Sequence, residues 1–255
     1  MSALPIPAQV ARKFRRLLLL CGMAVLAIPG IASAATVSYS LADLLSGGNS
    51  SGGFTIGDKR YSNFTFSSTG PAPLIPRDVN VRVTSADANS AVPGDDNYTI
   101  QFTFGLDAFP GERNDLVIGY QVDVTNPAMA INRVGLRFNG TVPSATTGDA
   151  AATVIETVRS ADGSDVAPGA PVSDTAVIDV FNDGAGPGVD RNSNTIAVNP
   201  TRTLIFTKDI LVSSRPDGGY AAISVVDNVV DQVPEPGMIG LAALAGAGLL
   251  FRRRR

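Results

Sequence analysis

The side chains in this sequence that could do chemistry are carboxylates, amides and hydroxyls. Histidine and tryptophan are absent, and the single cysteine, Cys21, lies in an apolar N-terminal stretch. Without histidine the chain has no Ser-His-Asp triad, no Cys-His dyad and no His-ligated zinc or iron site. Without a thiol beyond Cys21, the rest of the chain has no disulfide and no thiolate metal site. Any site must therefore be built from Asp, Glu, Asn and similar residues.

The stretch from residue 182 to residue 194 has the most site-like spacing of oxygen-bearing side chains. Its alternating Asp and Asn residues follow the first half of a calcium-binding loop. The second half of an EF-hand is missing, because Thr195 stands at the turn-glycine position and Arg202 at the position of the bidentate acid. The stretch is therefore either a looser calcium site or a solvated hairpin turn, and no other cofactor is predicted. The calcium candidates are Asp183, Asp190, Asn192 and Asn194.

A pair of carboxylates could also carry a reaction, because two acids suffice for glycoside hydrolysis. Asp107 and Glu112 could form such a pair, but the sequence does not set the distance between them. Sugar binding by ring stacking would depend on the five tyrosines, and strand tyrosines more often pack against a core. We therefore predict a protein without catalytic residues.

The charge of the chain differs between its ends and its middle. Residues 35–233 carry 12 Lys and Arg against 22 Asp and Glu, a net charge of −10. Such a body repels phosphate backbones, and no basic stripe interrupts it, so we expect no nucleic-acid partner. Basic residues are concentrated instead near both ends of the chain.

Residues 1–34 are typical of a secretion signal. A positive region at residues 12–16 is followed by an apolar region at residues 17–28, and the small residues Ala32 and Ala34 then fit the pocket of signal peptidase. We expect cleavage after Ala34. A retained membrane helix is less consistent with the pattern, because the apolar region is too short to span a bilayer.

Residues 233–255 consist of the tripeptide Pro234, Glu235 and Pro236, an apolar stretch at residues 237–251 and a cluster of four arginines. The apolar stretch makes about 22 Å of helix, so it spans a bilayer only if flanking side chains snorkel to the interface. The arginines would lie in the cytoplasm by the positive-inside rule, which leaves the body outside. The cytoplasmic anchor residues are Arg252, Arg253, Arg254 and Arg255.

This order of tripeptide, short apolar helix and arginine cluster resembles the PEP-CTERM sorting signal of bacteria that make exopolysaccharide. The resemblance implies that an exosortase, an integral-membrane cysteine transpeptidase, recognises Pro234, Glu235 and Pro236 and cuts close to them. The catalytic groups would belong to that enzyme. The two prolines fix an extended backbone and block helix propagation, so the tripeptide would stay accessible outside the membrane. A simple C-terminal membrane anchor is the alternative.

Between these ends, short apolar or alternating runs are separated by Gly, Pro, Asn and Asp clusters, which is typical of antiparallel strands and turns. Tyr98, Ile100 and Phe102, for example, share one face of a strand. Strands are predicted over residues 36–41, 53–56, 61–67, 79–84, 98–106, 116–125, 131–139, 153–159, 176–181, 203–212 and 219–226, with a helical turn at 41–45.

These runs predict an all-β fold, an antiparallel β-sandwich of jelly-roll or immunoglobulin-like order. An N-terminal signal helix and a C-terminal transmembrane helix would flank it. The predicted domains are a signal peptide at residues 1–34, an ectodomain at residues 35–232 and a sorting signal at residues 233–255.

The expected function is that of an exported surface or matrix protein, sorted by an exosortase, with a non-catalytic structural or adhesive role beside exopolysaccharide in a biofilm. Its processing partners would be signal peptidase and the exosortase, and the C-terminal helix would hold it in the membrane before processing. A calcium-dependent carbohydrate-binding or adhesive module is the alternative. A polysaccharide-modifying enzyme is the third hypothesis.

Overall fold

The computed structural model describes most of the body of the chain. Described are residues 35–46, 53–85, 98–142, 149–166, 168, 175–184 and 190–234. All of them belong to one of the two units into which the chain divides, residues 33–255. Outside the described residues lie both predicted terminal helices, Ala32, Ala34, Glu235, Pro236 and the four terminal arginines.

In the described part of the chain, twelve strands form two six-stranded antiparallel sheets that pack as a sandwich, which confirms the predicted all-β architecture. Sheet A has the order β1-β4-β5-β12-β7-β10, and sheet B has the order β2-β3-β6-β11-β8-β9. The strands are β1 Thr36–Ser40, β2 Phe54–Ile56, β3 Lys59–Thr69, β4 Asn80–Ser85, β5 Tyr98–Ala108, β6 Arg113–Val124, β7 Met129–Phe138, β8 Ala150–Ser160, β9 Thr175–Asn182, β10 Ser193–Thr201, β11 Thr203–Ser214 and β12 Ala221–Pro234.

Strand alternation builds the core between the sheets. In β5 every second residue from Tyr98 to Ala108 is buried, because successive side chains of a strand point to opposite faces. Aromatic rings meet at the centre of the core, where Tyr120 and Phe206 stack with centroids 4.9 Å apart. Phe64 stacks on the same tyrosine at 6.0 Å. The alternation that was visible in the sequence thus fills one continuous core.

One strand was not predicted, and another extends well beyond its predicted end. The sequence predicted no strand over residues 193–201, but β10 forms there at the edge of sheet A, with a register irregularity between Ala197 and Thr201. Pro200 lies in this irregularity, where its missing N–H is tolerated. The strand predicted over residues 219–226 continues as β12 to Pro234, so it passes the predicted start of the sorting signal at residue 233.

Helical structure in the described residues is limited to one short α-helix and one 3₁₀ turn. The helix α1, Leu41–Leu45, forms where a helical turn was predicted, and the Ser40 hydroxyl caps it by accepting a hydrogen bond from the backbone N–H of Asp43. The 3₁₀ turn covers Pro76–Asp78. Neither element, and no other helix in the described residues, is long and apolar enough to span a bilayer.

The sandwich has two ends, each formed by a different set of turns. At one end β12 stops at Pro234, next to the turns at residues 57–58 and 125–128 and the connection at Arg202. We call this the exit end. At the other end lie the turns at residues 109–112 and 215–220, which we call the distal end.

Candidate functional site

The last residues of β12 lie within sheet A. They pair with β7 up to the partners Pro234 and Met129. On the other side of β12, pairing with β5 ends at Val230 and Tyr98, so among the described residues the last four positions of β12 have a sheet neighbour on one side only. The first residue of the predicted sorting tripeptide is therefore also the last residue of β12.

A buried lysine holds this end of β12. The Lys59 ammonium is fully buried and donates a hydrogen bond to the side-chain oxygen of Gln232. It also forms an ion pair with Asp58 at 2.6 Å and lies 4.4 Å from the ring centre of Tyr98. Since a buried ammonium must keep its partners, Gln232 is tied to sheet B as well as to sheet A. The contact was not predicted from the sequence, because its two residues lie 173 positions apart.

A second ion pair lies one residue earlier in β12. The guanidinium of Arg133 in β7 donates to the carboxylate of Asp231. Arg133 is half exposed, so this pair contributes less than a buried one. The Arg133 contact resists separation of the end of β12 from β7, and the Lys59 contact resists its separation from sheet B.

The turns at the exit end are bonded to one another. The backbone N–H of Thr125 donates to the Asp58 carbonyl at 2.8 Å, and the N–H of Val124 donates to the Arg202 carbonyl at 2.7 Å. Within the turn at residues 125–128, the Asn126 side chain accepts from the N–H of Ala128 at 3.0 Å. The turns at the exit end are thus held together by hydrogen bonds.

A separate polar cluster lies at the centre of the core. Lys208 and Glu156, neighbours in sheet B, form a fully buried ion pair, and both contact the Asn228 side chain of sheet A. The Tyr120 hydroxyl donates to Asn228 at 2.8 Å. Burial raises the pKa of Tyr120 well above its ordinary value, and the Glu156 charge adds to this. Burial lowers the pKa of Lys208, and the Glu156 charge opposes part of that shift. The cluster is enclosed between the sheets, which fits a structural role.

The calcium candidates are only partly brought together. Asp190 accepts a hydrogen bond from the backbone N–H of Asp183 at 3.1 Å. The Asn194 side chain is engaged differently, because its oxygen accepts from the N–H of Thr195 and its nitrogen donates to the Asp179 carbonyl. Asn192 lies at the bend before β10. In the described residues no group of three or more His, Cys, Asp or Glu is placed to hold a metal ion.

The carboxylates considered for hydrolysis lie at the distal end. The Glu112 carboxylate accepts from the backbone N–H of Phe109 at 3.0 Å and so closes the turn between β5 and β6. The Asp107 backbone carbonyl accepts from the Asn114 side chain. A different pair meets on the outer face of sheet B, where burial and neighbouring Asp115 raise the pKa of Asp209. No sequence signal connects these two strands, because their register is set only by folding.

Three of the five tyrosines, Tyr61, Tyr98 and Tyr120, are buried in the core. Tyr220 is partly exposed at the distal end and contacts Phe109, with ring centres 5.4 Å apart. Phe109 itself is 54% exposed. This pair is the main exposed aromatic feature of the distal end.

The sorting segment is the part of the chain that comparison with known families identifies. Residues 232–255 match the family model of the PEP-CTERM protein-sorting motif. The chain carries a PEP-CTERM motif. The match confirms the recognition made from the tripeptide, the apolar stretch and the arginines. The PEP-CTERM motif indicates export and sorting to the cell surface, and it implies processing by an exosortase. Its first residue is Gln232, the partner of buried Lys59.

Beyond the PEP-CTERM motif, no curated protein matches the chain. Among solved structures, TmCBM61 in complex with beta-1,4-galactotriose is 16% identical with a TM-score of 0.30, and the alignment covers 67% of this chain and 88% of that one. The xylan-binding module CBM86 from Roseburia intestinalis is 10% identical with a TM-score of 0.19, covering 67% and 97%. The family 11 xylanase from Neocallimastix patriciarum is 8% identical with a TM-score of 0.22, covering 77% and 99%. Likenesses this distant carry no inference about ligands.

Proposed function

We propose that this chain is an exosortase substrate whose β-sandwich acts without catalysis at the cell surface or in the extracellular matrix, in contact with exopolysaccharide. The observation that carries the proposal is the PEP-CTERM motif at residues 232–255. In this proposal the apolar stretch holds the chain in the membrane for a limited time, with Arg252 to Arg255 in the cytoplasm. Cleavage near Pro234, Glu235 and Pro236 then releases the acidic body to the surface.

The sorting part of the proposal is tested by mass spectrometry of the exported protein. Cells that contain the exosortase should yield surface protein that begins at Ala35 and lacks the four terminal arginines. Cells in which the exosortase gene is deleted should retain the full C-terminus in the membrane fraction. Surface material that ends at an intact Arg255 would overturn the proposal, and so would equal processing in both strains.

The outer face of sheet A supports a polymer-binding role. Its strands place Arg82, Gln101, Asp227 and Arg137 in one row, since these residues are register partners across β4, β5, β12 and β7. A cavity of about 290 Å³ lies on this face, lined by Arg82, Thr84, Thr99 and Gln101. Guanidinium, amide and hydroxyl groups can hydrogen-bond the hydroxyls of a sugar chain, and this binding needs no stacking ring.

The polymer-binding role is tested by co-sedimentation of the processed protein with the exopolysaccharide of the producing cell, with chelator present. The combined variant Arg82→Ala and Gln101→Ala should reduce retention. Arg202→Ala is the matched control, because it removes the same charge from the exit end. Equal retention of the wild type, the double variant and the Arg202→Ala control would exclude the outer face of sheet A as the polymer-binding surface. Retention that disappears in chelator would favour the calcium-dependent alternative instead.

The distal aromatic pair provides a specific reason to keep an adhesive module as the second candidate. Phe109 and Tyr220 lie at the end of the sandwich opposite Pro234. In this proposal the distal end faces away from the membrane before processing. Phe109→Ser should then reduce adhesion of cells that display the protein. Ile155→Ser, which changes an exposed apolar residue on sheet B, is the control. If both variants adhere like the wild type, the distal pair has no such role.

A further inference from the structure

The distance between the fold and the sorting tripeptide is set by covalent geometry. Pro234 is both the last residue of β12 and the first of the tripeptide. Two residues of extended chain span at most about 7 Å. An enzyme that acts at or beside the tripeptide therefore comes within that distance of the residues that surround Pro234, unless the end of β12 first leaves the sheet.

Leaving the sheet is opposed by the pairing with β7 and by a contact with sheet B. Opening from Asp231 to Pro234 would lose the pairing with β7 and the ion pair of Asp231 with Arg133. Buried Lys59 would also lose its contact with Gln232. Local opening of a segment with a buried, charge-assisted hydrogen bond is more costly than fraying of an ordinary strand end.

The surface that such an enzyme would meet is accessible and ordered by its own hydrogen bonds. Asn126 and Pro127 are exposed, and they belong to the turn that leads directly to Met129, the register partner of Pro234. Arg202 is exposed at the connection between β10 and β11. Backbone hydrogen bonds tie these turns to Asp58 and to Val124.

We propose that the exit end, formed by the turns at residues 57–58 and 125–128 and by Arg202 around Pro234, is the surface on which the exosortase docks, so that the enzyme processes the folded ectodomain in direct contact with it. This inference rests on the proposed function of the chain as an exosortase substrate. The partner is the membrane-embedded processing enzyme, because only its action at the tripeptide forces it against this end. The distal end is free to project away.

The docking surface is tested by blocking it with a bulky polymer. After signal-peptide removal the chain has no cysteine, so a single introduced thiol can be modified selectively. Pro127→Cys places a thiol in the exposed turn that leads to Met129, the register partner of Pro234, and Asp217→Cys places one on the exposed distal turn. Unprocessed protein from cells without the exosortase is labelled with a large polyethylene glycol maleimide, freed of reagent, and reconstituted with the exosortase in lipid vesicles.

The labelled Pro127→Cys protein should be processed about tenfold more slowly than its unlabelled form, the effect expected when a central contact of an interface is blocked. The labelled Asp217→Cys protein should be processed like the wild type. A flexible Gly-Ser insertion between Val233 and Pro234 should restore processing of the labelled Pro127→Cys protein. Equal rates for the two labelled proteins would overturn the docking surface. Failure of the unlabelled wild type to be processed at all would instead refute the proposed function.

A cross-strand disulfide separates docking from strand opening. Ala130 and Val233 are direct register partners on β7 and β12, so Ala130→Cys with Val233→Cys can lock the end of β12 into the sheet. Docking on the folded end predicts equal processing of the oxidised and reduced forms of this one variant. A block in the oxidised form that reductant relieves would show that β12 must open, and would overturn the proposal.

Discussion

Gln232 of β12 accepts a hydrogen bond from the ammonium of Lys59, which lies 173 positions earlier in the chain and is fully buried. The contact joins the beginning of β3 in sheet B to the end of β12 in sheet A. It therefore connects the sorting segment to the core of the ectodomain. The contribution of this contact to the free energy of unfolding can be measured with variants of Gln232.

Gln232→Leu should destabilise the protein by about 1–3 kcal/mol, because it leaves a buried ammonium with Asp58 as its main polar partner. Gln232→Glu is the matched control, since it keeps an acceptor oxygen at the same position, and should stay close to the wild type. Urea unfolding of the unprocessed protein in detergent gives the free energies. Equal stability of the Leu variant and the wild type would contradict the assigned role of the contact.

The central cluster predicts strong coupling between Lys208 and Glu156. Lys208→Met leaves the Glu156 carboxylate buried without its ammonium, which should cost about 3–5 kcal/mol. The double variant Lys208→Met with Glu156→Met removes both charges and should recover most of this loss. A double-mutant cycle measured by urea unfolding tests the coupling. Additive single effects would mean that the two side chains do not act as a pair.

Substitution of two glycines with positive φ should have different effects on stability. Gly57 has φ 56° and a Cβ there would overlap the Tyr98 hydroxyl, whereas Gly163 has φ 75° and open space around it. Gly163→Ala should cost about 1 kcal/mol, the strain of the left-handed backbone alone. Gly57→Ala should cost clearly more, because it also displaces Tyr98. Thermal unfolding of both variants provides the comparison, and equal shifts would exclude the steric contribution.

The carboxylate pair on sheet B predicts a pH-dependent stability. Burial and neighbouring Asp115 raise the pKa of Asp209, so the folded protein binds this proton more tightly than the unfolded chain. Its contribution to stability is therefore present at low pH and is lost as pH rises from the unfolded to the raised folded pKa. Asp209→Asn should stabilise the protein at pH 7 by up to about 0.5 kcal/mol, the usual range for a surface position.

At a pH below the ordinary aspartate range, the gain from Asp209→Asn should disappear, because the wild-type side chain is then protonated in both states. Asp217→Asn removes the same charge from the distal turn and serves as the control. The test is to compare the melting temperatures of the wild type and both variants between pH 7 and this low pH. A gain that persists unchanged at low pH would contradict the assignment to the carboxyl group.

The loop between β9 and β10 predicts little response to calcium. Asp190 and Asn194 already accept hydrogen bonds from the backbone N–H groups of Asp183 and Thr195. We therefore expect millimolar calcium to raise the melting temperature no more than magnesium at equal ionic strength. A calcium-specific rise that Asp190→Ala abolishes would refute this expectation and revive the calcium-dependent module.

Sequence patterns located most of the sheet because apolar alternation is a local signal. They missed β10, whose polar residues and Pro200 suit an edge strand, and they shortened β12. In β12 the inward positions of Asn228 and Gln232 carry polar side chains, which interrupt the alternation. Their partners, Lys208 and Lys59, belong to the other sheet. Such pairs become visible only when both sheets are in place.

The sorting tripeptide was recognisable because its elements follow one another along the chain. The contacts around it were not, because they depend on register and sheet packing. One local signal was nevertheless present. Lys208 stands at an inward position between Phe206 and Ile210 in an otherwise regular strand, and a charged residue there indicates a buried partner.

The position of β12 also determines the order of events during secretion. Sheet A consists of two unconnected pieces, β1-β4-β5 and β7-β10, until β12 is inserted between them. If the polypeptide crosses the membrane with its N-terminus first, residues 221–234 are the last of the ectodomain to emerge. Under that condition sheet A closes only after residues 35–234 have crossed the membrane. In the proposed function, the apolar stretch at residues 237–251 would then hold β12 beside the translocation channel while β5 and β7 pair with it.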